Sequence, residues 1–537
     1  MSTEHKPMRY FRVVAILAAL AMLLTPIASY SPVAAQSAAP QIVSPEVVHT
    51  GTGPTGYEVT FRYWDGNPAT QNVKIRGEWY FSDAAHTTTT SSAGWLPSQW
   101  IPGAFPIAFP NRGAAANWPI HPMTQDPETL VWSFTTPMPS GTYTYGFLRN
   151  CTNADFGSSA GCSTSTQIAD PSNPPWNTSG AVEPTSQVYV PSDPAFGTVD
   201  LSWQAPNPVH GILADVAYST TLSTNPVGSH PLAVYTPPGY DPARTVPYPT
   251  LYLSHGSGGN EVDWSTQGAA GHIIDNLIAA GKVQPMVIVM TNFNNITGSN
   301  EGYRTDVISN VIPYVEANYN VSHNANDRAF AGLSAGGSRA GTILFTSPSA
   351  FGYYGIWSST GTNPALTDPR WQNPDLKTRL GIHVGYGVFD SNVVPTVITF
   401  PNNLTTNGVP YVAETMDGGH EWYTWRQMLH DFASTMAFKH TTTSLSQVAA
   451  PGSSQGRNVV FVTATVKADT TEPARLIGKV QFYLDGQQLD PAMPLLPDGT
   501  AKQALPQLSA GTHTVTAIYS GDNFYNTSTS GSLTVTR

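Results

Sequence analysis

The sequence of 537 residues predicts a central α/β domain on a doubly wound, mostly parallel sheet, flanked by two all-β sandwich domains. Three observations predict this. Residues 46–190 carry short runs that alternate apolar and polar with a period of two, separated by Pro, Gly and Asn. From about 197 to 440 strand patterns alternate with helical ones, and residues 449–537 return to strand patterns without a helical period. A chain of this length exceeds one hydrophobic core and fits about three domains.

Composition narrows the partners. Charged residues make up only 11%, against about 25% in an average globular protein, and Ser, Thr, Asn, Gly and Pro take their place. The net charge of −11, without a basic stripe, excludes nucleic acid as the expected partner and disfavours anionic membranes. Residues 1–35 are expected to be a secretory signal peptide. Lys6, Arg9 and Arg12 form a positive start, Val13 to Leu24 an apolar run, and Val33-Ala34-Ala35 a small-residue cleavage site. The run is short for a membrane span of about 20 residues. The mature protein is therefore expected to be secreted, with monomer as the default.

The first domain, residues 46–190, is justified by Val59–Tyr63, Val73–Gly77, Val131–Phe134 and Thr142–Gly146, each alternating as half-buried strands do. Trp64, Trp79, Trp95, Trp100 and Trp118 are assigned to packing in preference to ligand binding. Cys151 and Cys162 are the only cysteines. They flank a short Gly/Ser/Asn-rich loop and are expected to pair in an exported chain; no metal ligand set accompanies them. Pro137–Phe147 followed by Asp170–Pro174 resembles the Ig-like E-set domain that precedes the catalytic domain of many polysaccharide esterases.

The central domain, residues 197–440, opens with the strand Tyr248–Ser254. Gly271–Ala280 is a helix with Ile273, Ile274, Leu277 and Ile278 on one face and Gly281 as its stop. Pro285–Met290 is an apolar strand of the kind covered on both faces. Thr305–Tyr319 is helical, with Val307, Ile308, Val311, Ile312 and Val315 inward. Strands at Tyr353–Trp357, Leu380–Gly385 and Pro410–Thr415 follow, with a helix around 393–407 and a closing amphipathic helix at Trp422–Phe438. His440–Ser446 reads as a linker. The last domain, 449–537, contains Gly478–Gly486 and Gly511–Asp522, which resemble the bacterial Ig-like repeat.

Chemistry concentrates at Gly332-Leu333-Ser334-Ala335-Gly336. An apolar strand precedes it and a helix follows, the context of the nucleophile elbow of α/β-hydrolases. Such a serine needs a base, an orienting acid and an oxyanion hole, with the order Ser, acid, His along the chain. His420, in the glycine-bordered loop Asp417–Trp422, is the expected base; His383, His430 and His440 read as structural or surface residues. Asp390, at the carboxyl end of a strand, is the expected acid, with Asp417 as the alternative. Backbone N–H groups of Ser257, in Leu253–Asn260, and of Ala335 are the expected oxyanion donors. His255 is read as a support for that loop.

Val234–Tyr240, Leu251–Gly256, Val311–Tyr319, Arg328–Gly337 and Gly418–Trp422 occur in the order found in the esterase D / feruloyl esterase family of α/β-hydrolases, carbohydrate esterase family one, and residues 215–440 resemble it. The resemblance implies a cofactor-independent serine esterase removing feruloyl or acetyl groups from plant polysaccharide, with Ser334, Asp390 and His420 on the triad positions. Two features depart from the family pattern. Ala335 stands where the family often has Met, and the loop Thr291–Tyr303 is unusually Asn-rich. Two enzymatic alternatives stay open: a mycolyl-type acyltransferase, which shares fold and triad, and a small-ester or siderophore esterase. A third, suggested by the two Ig-like modules, is a non-catalytic binding or adhesion protein.

Overall fold

The sheet of the central domain sets the position of everything else. In this computed structural model it has eight strands: β1 (Ile212–Thr224), β2 (Val227–Thr236), β3 (Thr250–Ser254), β4 (Val287–Thr291), β5 (Arg328–Leu333), β6 (Tyr353–Trp357), β7 (Gly381–Gly387) and β8 (Val412–Met416). Their order is β1-β2-β4-β3-β5-β6-β7-β8. β1 and β2 form an antiparallel hairpin on the edge, β2 meets β4 antiparallel, and β3 to β8 pair in parallel. The described residues are 40–88, 94–108, 118–152, 162, 167–176, 185–359, 363–390, 399–449, 460–469 and 476–536. The expected signal segment 1–35 lies outside them.

Both faces of the sheet are covered, which explains the unbroken apolar strands. On one face Val287, Val289, Tyr252, Phe330 and Tyr354 pack with Tyr303, Val307, Val311, Ile343 and Leu344. On the other, Leu251, Leu253, Ile288, Ala329 and Ala331 pack with Ile273, Ile274, Leu277, Trp425 and Met428. The covering helices are α1 (Ala270–Ala279), α2 (Ser299–Asp306, continuing through a π turn into Ile312–Asn318), α3 (Ala335–Thr346), α4 (Thr399–Thr406) and α5 (Trp422–Asp431). Gly281, at φ 63°, ends the chain's run through α1 in the left-handed conformation that glycine tolerates.

Two elements differ from the sequence expectation. Residues 299–303, expected as the end of an Asn-rich loop, already belong to α2. That turn buries Tyr303 and Asp306 alone, so it carries no apolar repeat; Tyr303 is held instead through its hydroxyl, 2.5 Å from Thr291 Oγ1 and 3.2 Å from Ser254 Oγ. The second difference is at His440–Ser446. Thr441–Ala449 is a strand paired antiparallel with Val460–Ala468 of the last domain, in place of the expected linker. A polar Thr/Ser run on a partly exposed strand looks like a linker in sequence. Part of the expected helix at 393–407 lies outside the described residues; its described part is α4.

The first domain is a sandwich of two four-stranded sheets around Val59, Phe61, Ile75, Trp79, Tyr145 and Phe147. Trp79, Trp100 and Trp118 are buried, Trp64 and Trp95 half-buried. Cys151 and Cys162 are disulfide-bonded. The last domain packs a three-stranded sheet on a larger one. It meets the central domain through Tyr525, which accepts from Gln284 Nε2 at 2.8 Å, and through Lys439, whose Nζ donates to Lys282 O at 2.7 Å and Asn523 O at 3.2 Å.

The first domain is joined more deeply. Arg426 of α5 is fully buried and donates to Gln267 O (2.6 Å) and to Thr142 O (2.8 Å) of the sandwich, with Glu78 Oε2 at 4.0 Å. Glu78 in turn accepts from Thr144 N at 3.0 Å, and burial pushes its carboxyl up. Removing one member of such a buried group strands the others without solvent. Arg426→Ala is expected to lower the unfolding free energy by about 3 kcal/mol, read as an earlier urea midpoint; an unchanged midpoint would show that the interface does not depend on this guanidinium.

Candidate active site

The elbow is built by close approach. β5 lies between β3 and β6 and ends at Leu333, and α3 begins at Ala335. Ser334 between them has φ 52° and ψ −118°, a conformation that costs a non-glycine residue about 1–3 kcal/mol. Its N–H donates to Trp357 O at 2.8 Å, which clamps it to β6. A Cβ on Gly332 would fall 2.5 Å from Gly336 C, and one on Gly336 would fall 2.4 Å from His255 O. The two glycines of the motif are therefore required by space.

The loops after β7 and β8 are zipped together. Val388 N donates to Met416 O at 2.9 Å and Phe389 N to Gly418 O at 3.0 Å. Asp390 N closes a turn on Gly387 O at 2.9 Å. This brings the fully buried Asp390 carboxylate to His420 Nδ1, at 2.9 Å from Oδ2 and 3.1 Å from Oδ1. The opposite ring nitrogen, Nε2, is 3.0 Å from Ser334 Oγ. A carboxylate only accepts, so Nδ1 carries the proton and Nε2 turns its lone pair to the serine hydroxyl, which donates. Trp425 stands edge-on to the His420 ring at 5.0 Å and is itself fixed by Nε1 donating to Ser358 Oγ at 3.0 Å. Asp417, the alternative acid, is exposed and is not among the hydrogen-bond partners of His420.

The expected oxyanion donors lie on the two segments flanking Ser334. Ala335 is the first residue of α3, where backbone N–H groups have no helical acceptor. Ser257 is exposed in the loop after β3, and a Cβ on its neighbour Gly256 would lie 3.6 Å from Ser334 Cβ. His255 is completely buried below that loop. Its Nδ1 is 2.7 Å from Gly256 O, its Nε2 accepts from Phe293 N at 3.3 Å, and burial pushes its pKa down to about 4. It is thus a neutral brace for the loop. The other histidines C-terminal to Ser334 are occupied elsewhere: His383 accepts from Trp357 Nε1 and faces Asp431, His430 lies tilted against Trp203, and His440 pairs with Asp469. Among the described residues no three His, Cys, Asp or Glu side chains are placed to hold a metal ion.

Sequence reasoning missed what supports this site from outside the central domain. Phe105 of the first domain stacks on Phe389, beside Asp390, at 5.8 Å and on Tyr423 at 6.4 Å. Glu421, next to His420, is 2% exposed; it accepts from Gly419 N at 2.7 Å and from Ala108 N of the first domain at 3.4 Å. Its place in Gly418–Trp422 was visible, but its partner lies 313 residues away. Desolvation, with Asp390 nearby, pushes the Glu421 carboxyl up to about 8.

The fold and this arrangement define an α/β-hydrolase domain of the serine esterase class. Residues 223–435 match the family described as putative esterase, and residues 445–536 the bacterial Ig-like domain, group 3. An endo-1,4-beta-xylanase/feruloyl esterase of Xylanibacter ruminicola is 34% identical over 216 residues, covering 38% of this chain and 28% of that protein. The chain thus spans under a third of that relative. A ferulic acid esterase structure from Anaeromyces mucronatus is 19% identical, covers 44% of this chain and 96% of its own, and superposes with a TM-score of 0.39. For the enterobactin esterase from Shigella flexneri the identity is 16%, the coverage 70% and 92%, and the TM-score 0.42.

Glu421 makes a testable contribution to stability. Its folded pKa of about 8 lies above that of an unfolded glutamate, about 4.3. Between those values the folded state holds a proton that the unfolded state has lost, so stability falls as pH rises through the window. Glu421→Gln keeps the neutral form and is expected to flatten this slope. Urea denaturation at pH 5 and pH 8 checks it; an identical pH dependence in both proteins would refute a protonated Glu421.

Proposed function

We propose that the protein is a serine carboxylic ester hydrolase that removes feruloyl or acetyl groups from plant cell-wall polysaccharide. The observation that carries the chemistry is the chain of contacts from buried Asp390 through His420 to Ser334 Oγ, 2.9 and 3.0 Å long. The polysaccharide substrate is supported by the 34% identity to a protein named as a xylanase and feruloyl esterase.

In this reading Ser334 Oγ attacks the ester carbonyl while His420 Nε2 takes its proton. Asp390 stabilises the imidazolium and keeps the proton on Nδ1. The oxyanion is received by the N–H groups of Ala335 and Ser257. Collapse expels the alkoxide, which His420 protonates, and leaves an acyl-Ser334. Water, deprotonated by His420, repeats the attack and releases the acid and free serine. No cofactor enters. The pattern of residues 1–35 and the Cys151–Cys162 disulfide support export of the mature protein.

Release of ferulate and acetate from substituted xylo-oligosaccharides tests the proposal. The native protein is expected to release at least one acid, and Ser334→Ala to lose about 10⁴-fold or more in kcat. Asp390→Asn is expected to lose about 10⁴-fold. Hydrolysis of 4-nitrophenyl acetate alone would remove the polysaccharide substrate and keep the hydrolase. Failure on every ester, with no fluorophosphonate labelling of Ser334, would overturn both.

A further inference from the structure

Arg339, one turn into α3, is a cation beside the nucleophile without a counter-ion among the described residues. Its Nη1 donates back to Ala335 O at 3.0 Å, so the guanidinium sits at the first turn of the helix, next to the residue that follows Ser334. Its plane lies over Phe293, 3.5 Å from the ring centroid, with Tyr303 at 5.7 Å. Phe293 stacks in turn on His255, 3.8 Å away, under the loop that carries Ser257. Nε is shut off from solvent with no acceptor, and Nη2 has no protein partner among the described residues.

This placement is unfavourable on three counts. A positive charge opposes the positive end of the helix dipole. Desolvation disfavours the charged form and lowers the Arg339 pKa. Among the described residues no carboxylate lies within 4.0 Å of it, whereas Arg62, Arg149, Arg304, Arg328, Arg370 and Arg426 each have one. Nε is sealed, so Nη2 is the atom left to a ligand, and a guanidinium N–H donates a charge-assisted hydrogen bond to an anionic oxygen. The Asn-rich loop explains how the cation is held there: Asn292 Nδ2 donates to Glu261 Oε2 at 2.5 Å and Asn294 Nδ2 to Gly259 O at 2.7 Å, which fixes Phe293 as the platform.

We propose that Arg339 is a specificity-determining residue whose Nη2 donates to an anionic group, such as a carboxylate, borne close to the scissile bond on the acyl or the alcohol side of the substrate. This rests on the ester-hydrolase reading above and adds a charged class of substrate to it. It also gives the unusual loop Thr291–Tyr303 a purpose.

Matched ester pairs test it on the full chain. On the acyl side mono-4-nitrophenyl succinate is compared with 4-nitrophenyl butyrate; on the alcohol side 4-acetoxybenzoate with its methyl ester. In at least one pair the native protein is expected to favour the anionic ester in kcat/KM, and Arg339→Gln to cut that ratio by about tenfold or more. Arg339→Lys is expected to keep part of it. Added salt should erode the ratio in the native protein without any substitution. A ratio is independent of how much of a variant is folded, and a prop beneath Phe293 would lower both esters together. Equal ratios in native and Gln proteins for both pairs, or no salt effect, would overturn the assignment while leaving the hydrolase intact. Inactivity of the native protein on all four esters would also overturn the assignment, and the hydrolase reading falls with it only if xylo-oligosaccharide esters are untouched and a fluorophosphonate fails to label Ser334.

Discussion

The molecule is organised around one strained residue. Ser334 occupies a backbone conformation that its own chemistry disfavours, and the surroundings over-determine it. β6 holds its N–H, and the loop after β3 presses on Gly336 from the other side. A parallel sheet covered on both faces supplies this rigidity, because its central strands cannot shift without disturbing two cores at once. The loops bearing Asp390 and His420 then need only be zipped to each other to complete the constellation.

Much of this was legible in the sequence, and the reason is locality. The elbow is a contiguous motif whose flanks announce strand and helix. His420 and Asp390 follow strands that periodicity alone locates, and chain order restricts the choice further. Asp417 could be set aside only with coordinates, since both aspartates lie in loops after strands. The helix start at Ser299 and the strand at Thr441–Ala449 escaped because neither carries an apolar repeat: one is anchored by a single tyrosine hydroxyl, the other by backbone pairing. Glu421, Phe105 and Arg426 escaped for a different reason. Their meaning lies in partners hundreds of residues away, and no local pattern encodes a contact between domains.

Those contacts change how the first domain should be understood. A β-sandwich in front of a hydrolase domain is readily taken as an independent accessory. Here its backbone at Thr142 and Ala108 satisfies polar groups of α5 and of the histidine loop, and Phe105 packs against the residue before Asp390. Buried polar groups of this kind are tolerated only when every partner is present. The sandwich therefore forms part of the foundation of the loops that bear Asp390 and His420, and the central domain cut free of it would expose Arg426 and Glu421 to water.

The junction at the other end has a consequence for reach. Only Ala437 to His440 separate the last π turn of the central domain from the first strand of the Ig-like domain, and Lys439 within them is fastened to both sides. A module on a long flexible tether sweeps a volume and raises the local concentration of whatever it holds. One joined through four pinned residues cannot sweep. Whatever surface it grips would meet the serine from one direction only, so that attachment and orientation become the same event.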